Sequence, residues 1–186
     1  MSSPDQFEVI VTDYYEALFR FALSLTRSES DARDLTQETF YVWARKGHQL
    51  RDISKVKSWL FTTMHRAFLM GQRRQNRFTH HNLETVFNEL PAVSPELAHR
   101  SDHSQVLLAL GKVDQIYQAA LSLFYLDDCS YKEIAAILEV PVGTIKSRLA
   151  RGVVKLREIL LPNDGVSGAI ERDLSPALVQ EPLGDL

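Results

Sequence analysis

From Phe7 to Arg27, apolar residues fall at Val9, Ile10, Tyr14, Ala17, Leu18, Phe21, Ala22 and Leu25. This three-and-four spacing keeps one face of a helix apolar. Ser28 to Asp31 supplies capping residues, and Leu35, Thr39, Val42 and Trp43 then form the stripe of a second helix that runs to Lys46 and stops at Gly47. After a polar stretch from His48 to Lys57, a third periodicity runs through Val56, Trp59, Leu60, Thr63, Met64, Ala67 and Phe68 and fades at 72–77. Three amphipathic helices of this length predict one small helical domain.

The pattern is lost from Phe78 to Ser104, where Pro91 and Pro95 stand among Ser, Asn, His and Glu residues. A linker is expected, with a short helical piece around Leu83 to Leu90. Periodicity returns at Val106, Leu107 and Leu110 and again at Ile116, Ala120, Leu123 and Phe124, ending at Asp127 and Asp128. Ser130 is placed to cap a helix over Tyr131 to Leu138, residues 139–141 form a turn, and Gly143 to Leu160 carries Ile145, Leu149, Leu156 and Leu160 on one face. Two helices across so short a turn predict a helix-turn-helix, with Ala135 and Ala136 as small residues beneath Ile145 and Leu149.

The fold class is therefore all-α: two small helical domains joined by a flexible linker, the second containing the helix-turn-helix. The boundaries read as 1–78 for the first domain, 79–104 for the linker, 105–161 for the second domain, and 162–186 for an acidic tail expected to be disordered. No apolar run is long enough to span a bilayer, and the first residues lack the basic start and apolar core of a secretion signal, so the cytoplasm is the expected location. The single Cys129 excludes an intramolecular disulfide and a paired-cysteine zinc site, and reads as a buried or half-buried thiol.

The net charge of −3 hides a strongly uneven distribution. Between Lys132 and Arg157 stand six Lys or Arg (Lys132, Lys146, Arg148, Arg151, Lys155, Arg157) against Glu133 and Glu139, a local excess of +4. A helix-turn-helix with that excess is suited to a polyanion, and the start of its second helix at Gly143 and Thr144 offers backbone N–H groups to a phosphate. A second cationic stretch, from Met64 to His81, carries Arg66, Arg73, Arg74 and Arg77 and no acid, close to Trp59, Phe61 and Phe68. Arginines beside aromatic rings are what stacks unpaired bases and neutralises their phosphates, although an apolar stripe must bury something and Trp59 and Phe68 are in the first place candidates for the core. His80 and His81 lack companion ligands, so no metal and no cofactor is expected. Asp31, Asp34 and Glu38 share one helix face, flanked by Gln37. Without a pocket or a companion base, such acids suit a protein-docking or solvated surface better than acid–base catalysis. Glycine phosphate loops, nucleophile motifs and metal constellations are lacking, and an enzyme is not expected.

These residues resemble the extracytoplasmic-function (ECF) group of bacterial sigma factors. The resemblance covers about Phe7 to Leu160 and rests on 31–40 (DARDLTQETF, similar to the family's DAEDLVQETF), 58–61 (SWLF), 130–135 (SYKEIA) and 140–149 (VPVGTIKSRL), in that order. It implies a first domain that binds core RNA polymerase through Asp34, Gln37 and Glu38 and captures a melted minus-ten element. Trp59, Arg66, Arg73 and Arg74 would line the DNA side, and the loop from His48 to Ser58 would receive a flipped base. The second domain would read the minus-thirty-five element through Thr144, Lys146, Ser147, Arg148 and Arg151, with Lys155 adding charge on the same helix. The expected partners are core RNA polymerase and promoter DNA, with an anti-sigma factor as a further candidate.

Three departures from the family pattern stand out. Glu139 replaces the usual Gly; 67–71 (AFLMG) replaces Asn-Leu followed by an aspartate, so DNA contacts near Met70 do not carry over; and Gly152-Val153 replaces Ala-Arg. The last removes a cation and places a glycine inside a helix, at about 1 kcal/mol relative to Ala. A competing reading is a homodimeric helix-turn-helix regulator that binds a duplex operator without polymerase. The tail carries Asp164, Glu171, Asp173, Glu181 and Asp185 against Arg172, a charge of −4, which would suit a fold-back onto the basic recognition helix as well as a passive terminus.

Overall fold

The computed structural model describes residues 4–79 and 103–160, and among them every regular element is helical. The first domain contains α1 (Pro4–Thr26), α2 (Glu29–Lys46) and α3 (Val56–Thr79), with 3-10 turns at Gly47–Gln49 and Ile53–Lys55 between α2 and α3. The second contains α4 (His103–Lys112), α5 (Gln115–Tyr125), α6 (Tyr131–Leu138) and α7 (Val142–Leu160). The expected helix around Leu83 to Leu90 and the tail beyond Leu161 lie outside the described residues.

Local chemistry places the helix ends. Arg27 follows α1 in the left-handed conformation (φ 59°), which lets the chain reverse at once into α2. Ser28 caps α2, its Oγ accepting from the Asp31 N–H at 3.3 Å. At Ser130 a reciprocal capping box forms: its Oγ accepts from the Glu133 N–H at 3.3 Å, and the Glu133 carboxylate accepts from the Ser130 N–H at 2.8 Å. The α6–α7 turn passes through Glu139 at φ 56° and ψ 44°, a left-handed residue. A β-carbon is unfavourable in that conformation, so the departure noted at this position carries a backbone cost that glycine would not.

In the first domain the buried faces carry Leu18, Phe21, Leu25, Leu35, Phe40, Trp43, Leu60, Phe61, Met64 and Phe68. Gly47 is seated on the indole of Trp43, where a β-carbon would come within 2.6 Å of the ring. The second core gathers Leu110, Leu121, Leu123, Ile134, Ile137, Ile145, Leu149 and Leu156. Ala135 is buried beneath the α6–α7 crossing as expected, but Ala136 is exposed, so one small residue and not two permits the close approach. Gly152 is buried in the middle of α7, and a β-carbon on it would meet Leu121 Cδ1 at 2.9 Å and Tyr117 Cβ at 3.0 Å. The sequence departure at this position therefore has a packing reason: α5 lies too close for a side chain.

The two domains are docked. Helix α3 packs against α6, and α1 packs against α4 and α5, so the buried residues form one continuous cluster. Three basic side chains of the first domain cross to main-chain carbonyls of the second: Arg27 Nη2 to Val113 O at 3.3 Å, Arg20 Nη2 to Leu126 O at 3.3 Å, and Lys57 Nζ to Asp127 O at 2.7 Å. Those carbonyls lie at or just past the C-terminal ends of α4 and α5, where the helix dipole favours cations. In the other direction Gln118 donates to Ser24 O, and within its own domain to Leu110 O at 3.1 Å.

Candidate nucleic-acid interface

Helix α7 divides cleanly by face. Ile145, Leu149, Gly152 and Leu156 point inward, while Lys146, Ser147, Arg151 and Lys155 are exposed and Thr144 and Arg148 are half-buried. Ser147 Oγ donates to Thr144 O at 2.9 Å, and Lys155 Nζ lies 3.1 Å from the Glu158 carboxylate. The cationic face is thus presented by a helix whose opposite side is anchored in the core and which follows α6 across the short turn at Glu139. That is the arrangement by which a helix enters a DNA major groove.

On α3 the aromatic residues separate. Phe61 is fully buried, with its ring centroid 5.3 Å from that of Phe21, and Phe68 is also buried, so both belong to the core and not to a base-stacking surface. Trp59 is half-buried and held edge-on by Trp43 at 5.2 Å between centroids. Gly47 supports the other ring of this pair, which leaves Trp59 as a braced platform beside the loop at 48–55. That loop is ordered by Asp52, whose carboxylate accepts from the Ser54 N–H at 3.1 Å and the Ser54 hydroxyl at 2.6 Å. These hydrogen bonds, the hydroxyl's first, hold the Asp52 pKa below its usual value.

The predicted cations of α3 have different surroundings. Arg73 and Arg74 are exposed on its C-terminal part. Arg66, one of the residues expected on the DNA side, forks onto the Glu139 carboxylate across the domain junction, with Nε to Oε2 at 2.9 Å and Nη2 on Oε1. Its neighbour His65 is largely enclosed, and burial first, then the Arg148 charge, lower its pKa to about 4. In the docked arrangement the basic face of α3 and part of α7 therefore approach one another.

Asp34, Gln37 and Glu38 are exposed on α2, as their spacing implies. Asp31, Asp34 and Glu38 edge a groove of about 280 Å³ whose floor includes Leu25, Leu35, Ala67 and Phe68. Asp34 and Gln37 also line a second depression with Glu29, Ser30 and Arg33. Acids around an apolar floor, on a helix with no partner base, suit a protein surface better than chemistry. Among the described residues no group of three or more His, Cys, Asp or Glu is arranged to hold a metal.

One buried group went unremarked in the sequence. Asp127 is enclosed at the junction with its carboxyl oxygens accepting no hydrogen bond, and Arg20 Nη2 stands 3.8 Å away. Burial pushes its pKa from 3.8 up to about 7 against the opposing pull of Arg20 and Lys57. The adjacent Asp128 is exposed. Nothing in the spacing separates the two, and only the docking of the first domain makes one interior. Cys129 is buried and its thiol is pushed up to about 11, chiefly by burial, which leaves it unreactive.

Comparison with known proteins shows the family. Residues 10–78 match the Sigma-70 region 2 family and residues 103–156 match Sigma-70, region 4. The ECF RNA polymerase sigma factor SigM of Bacillus subtilis is 30% identical over 155 residues, covering 83% of this chain and 93% of SigM. The ECF sigma factor SigE of Mycolicibacterium smegmatis is 31% identical over 155 residues, and the chain spans 60% of that longer relative. Among solved structures, the sigma factor RpoE of Bartonella quintana, in complex with the anti-sigma factor NepR, is similar with a TM-score of 0.73 and 30% identity, covering 83% of this chain and 96% of that one.

Proposed function

Since the chain belongs to the ECF group of RNA polymerase sigma factors, we propose that it binds core RNA polymerase and directs it to promoters through two unlike DNA surfaces. Helix α7 reads the minus-thirty-five duplex with Thr144, Lys146, Ser147, Arg148 and Arg151, and Lys155 adds phosphate attraction. The first domain holds the melted minus-ten strand with Trp59 as stacking platform and Arg66, Arg73 and Arg74 on its phosphates. Asp34, Gln37 and Glu38 face polymerase. The chain supplies binding and orientation, with no covalent chemistry of its own, and works in the cytoplasm where polymerase is. None of the described helices is long and apolar enough to cross a membrane. An anti-sigma factor is a further partner class, as for the RpoE relative.

The observation that carries this reading is the division of basic surface between two domains of different architecture: a capped helix-turn-helix, and a separate helix with a braced indole beside its arginines. A duplex-only regulator needs the first and has no use for the second. Permanganate footprinting on a promoter with core polymerase present is the test. Reactive thymines at the minus-ten element only when chain and core are together are expected. Tight retardation of duplex by the chain alone, with no reactive thymines in the presence of core, would favour an operator-binding regulator instead.

A further inference from the structure

We propose that Glu139 is an internal competitor for DNA: its carboxylate occupies the Arg66 guanidinium in the docked arrangement, and a nucleic-acid phosphate must displace it before α3 can bind a strand. The inference rests on the reading of α3 as DNA-facing and deepens it.

The geometry is that of anion recognition. Arg66 presents Nε and Nη2 to the two oxygens of one carboxylate, the fork with which arginine also holds a phosphate. The two claims on that fork exclude one another. Glu139 occupies a place where its backbone is left-handed at φ 56°, a conformation that a residue with a β-carbon adopts at a cost and glycine does not. The side chain therefore stands against local backbone preference, and its contact with Arg66 is what the docked structure gains. Both side chains keep more than half their surface open (60% for Arg66, 52% for Glu139), so an incoming strand can reach the pair without first unfolding anything. The pair also sits where the two DNA surfaces meet: Glu139 begins the turn into α7, and Arg148 is close enough to His65 for its charge to be felt there. Releasing Arg66 thus frees its guanidinium for a phosphate while the buried packing of α3 on α6 stays in place. An exposed pair of this kind contributes little on its own, which suits a contact meant to yield.

The test uses the full chain and its Glu139→Gly, Glu139→Gln and Arg66→Ala/Glu139→Gly variants. Two quantities are measured: amide hydrogen exchange across α3 and α6, and the affinity of the free chain for a fluorescent single-stranded minus-ten oligonucleotide. Glu139→Gly relieves the backbone and removes the carboxylate together, so the second domain should melt no lower than in the parent chain. Oligonucleotide affinity should increase roughly two- to fivefold at low salt, with a smaller gain at high salt, while exchange at the α3–α6 junction stays near that of the parent chain. Glu139→Gln, which keeps the shape without the charge, should move the affinity in the same direction. A gain accompanied by faster junction exchange would assign it to domain opening and overturn the proposal. Unchanged affinity in both variants would overturn the competition. In that case the double variant tells the two readings apart: if it binds the oligonucleotide as well as Glu139→Gly does, the assignment of Arg66 to DNA falls too, and if it binds more weakly, that assignment stands while the competitor role of Glu139 does not.

Discussion

Gly152 and Gly71 both sit inside helices, yet a β-carbon has opposite consequences at the two positions. At Gly71 nothing lies within 4 Å of the added atom, and Gly71→Ala should raise thermal stability by about the 1 kcal/mol that separates the two residues in a helix. At Gly152 the same propensity gain meets Leu121 and Tyr117 at 3.1 Å or less, so Gly152→Ala should lower stability by about 1 kcal/mol and Gly152→Val by more. Melting curves of the three variants check this, and a stabilised Gly152→Ala would show that α5 can give way. The helix penalty at Gly152 was legible in the sequence, but its reason was not, because it depends on which helix lies opposite. Asp127 is a second case. Its pKa rises from 3.8 in the open chain to about 7 in the fold, so its protonated form stabilises the fold fully below pH 4, and that contribution is lost as pH rises through 7. The rise corresponds to about 4 kcal/mol at most. His65 works in the opposite direction, with a pKa depressed from 6.5 to about 4, so its contribution is present above pH 6.5 and is lost as pH falls through 4. Asp127→Asn should therefore be more stable than the parent at pH 8, with the gap closing toward pH 5 in denaturant titrations. An equal gap at both pH values would mean that the carboxyl is not the titrating group.

At the scale of the element, the helices were largely readable because what starts and stops them is local. Ser130 reads as a helix cap from sequence alone, and the structure adds the return bond with Glu133 that completes a capping box. Ser130→Ala should cost about 1 kcal/mol in stability, measured by urea unfolding. Because the cap precedes the helix-turn-helix, the loss should also weaken minus-thirty-five binding without changing which bases are preferred. The two basic elements can be separated in the same way. Arg148→Ala should relax preference at one base pair by roughly 1–3 kcal/mol, while Arg73→Ala should weaken binding to every sequence and flatten its salt dependence. Competition against single-base promoter variants distinguishes these outcomes, and equal losses for every variant with Arg148→Ala would remove its role as a reader of sequence. The aromatic side of α3 was less legible. Trp59, Phe61 and Phe68 share a helix and a composition, and only the position of α1 decides that Phe61 is core while Trp59 keeps an open edge.

For the whole molecule, the acidic face of α2 offers the cleanest test of assembly. Reversing charge with Asp34→Lys plus Glu38→Lys should weaken binding to core polymerase while the circular dichroism melt stays near that of the parent, since exposed acids contribute little to folding. A large fall in melting temperature with unchanged polymerase affinity would assign these acids to the fold. The docking of the two domains had no counterpart in the sequence reading, and the physical reason lies in its chemistry. Periodicity reports which face of a helix is buried but not against what, and apart from Arg66 on the Glu139 carboxylate the cross-domain hydrogen-bond donors end on carbonyls that every residue possesses. That same feature makes the junction lopsided under mutation. Arg20, Arg27, Lys57 and Gln118 can each lose a cross-domain bond through one codon change, whereas Val113 O, Leu126 O, Asp127 O and Ser24 O persist through any replacement of their side chains. Among these four main-chain bonds, a random screen for chains whose domains separate should therefore collect its lesions at the donors, and sequences drifting under selection for a docked state should vary freely at such an acceptor wherever the side chain's volume is kept.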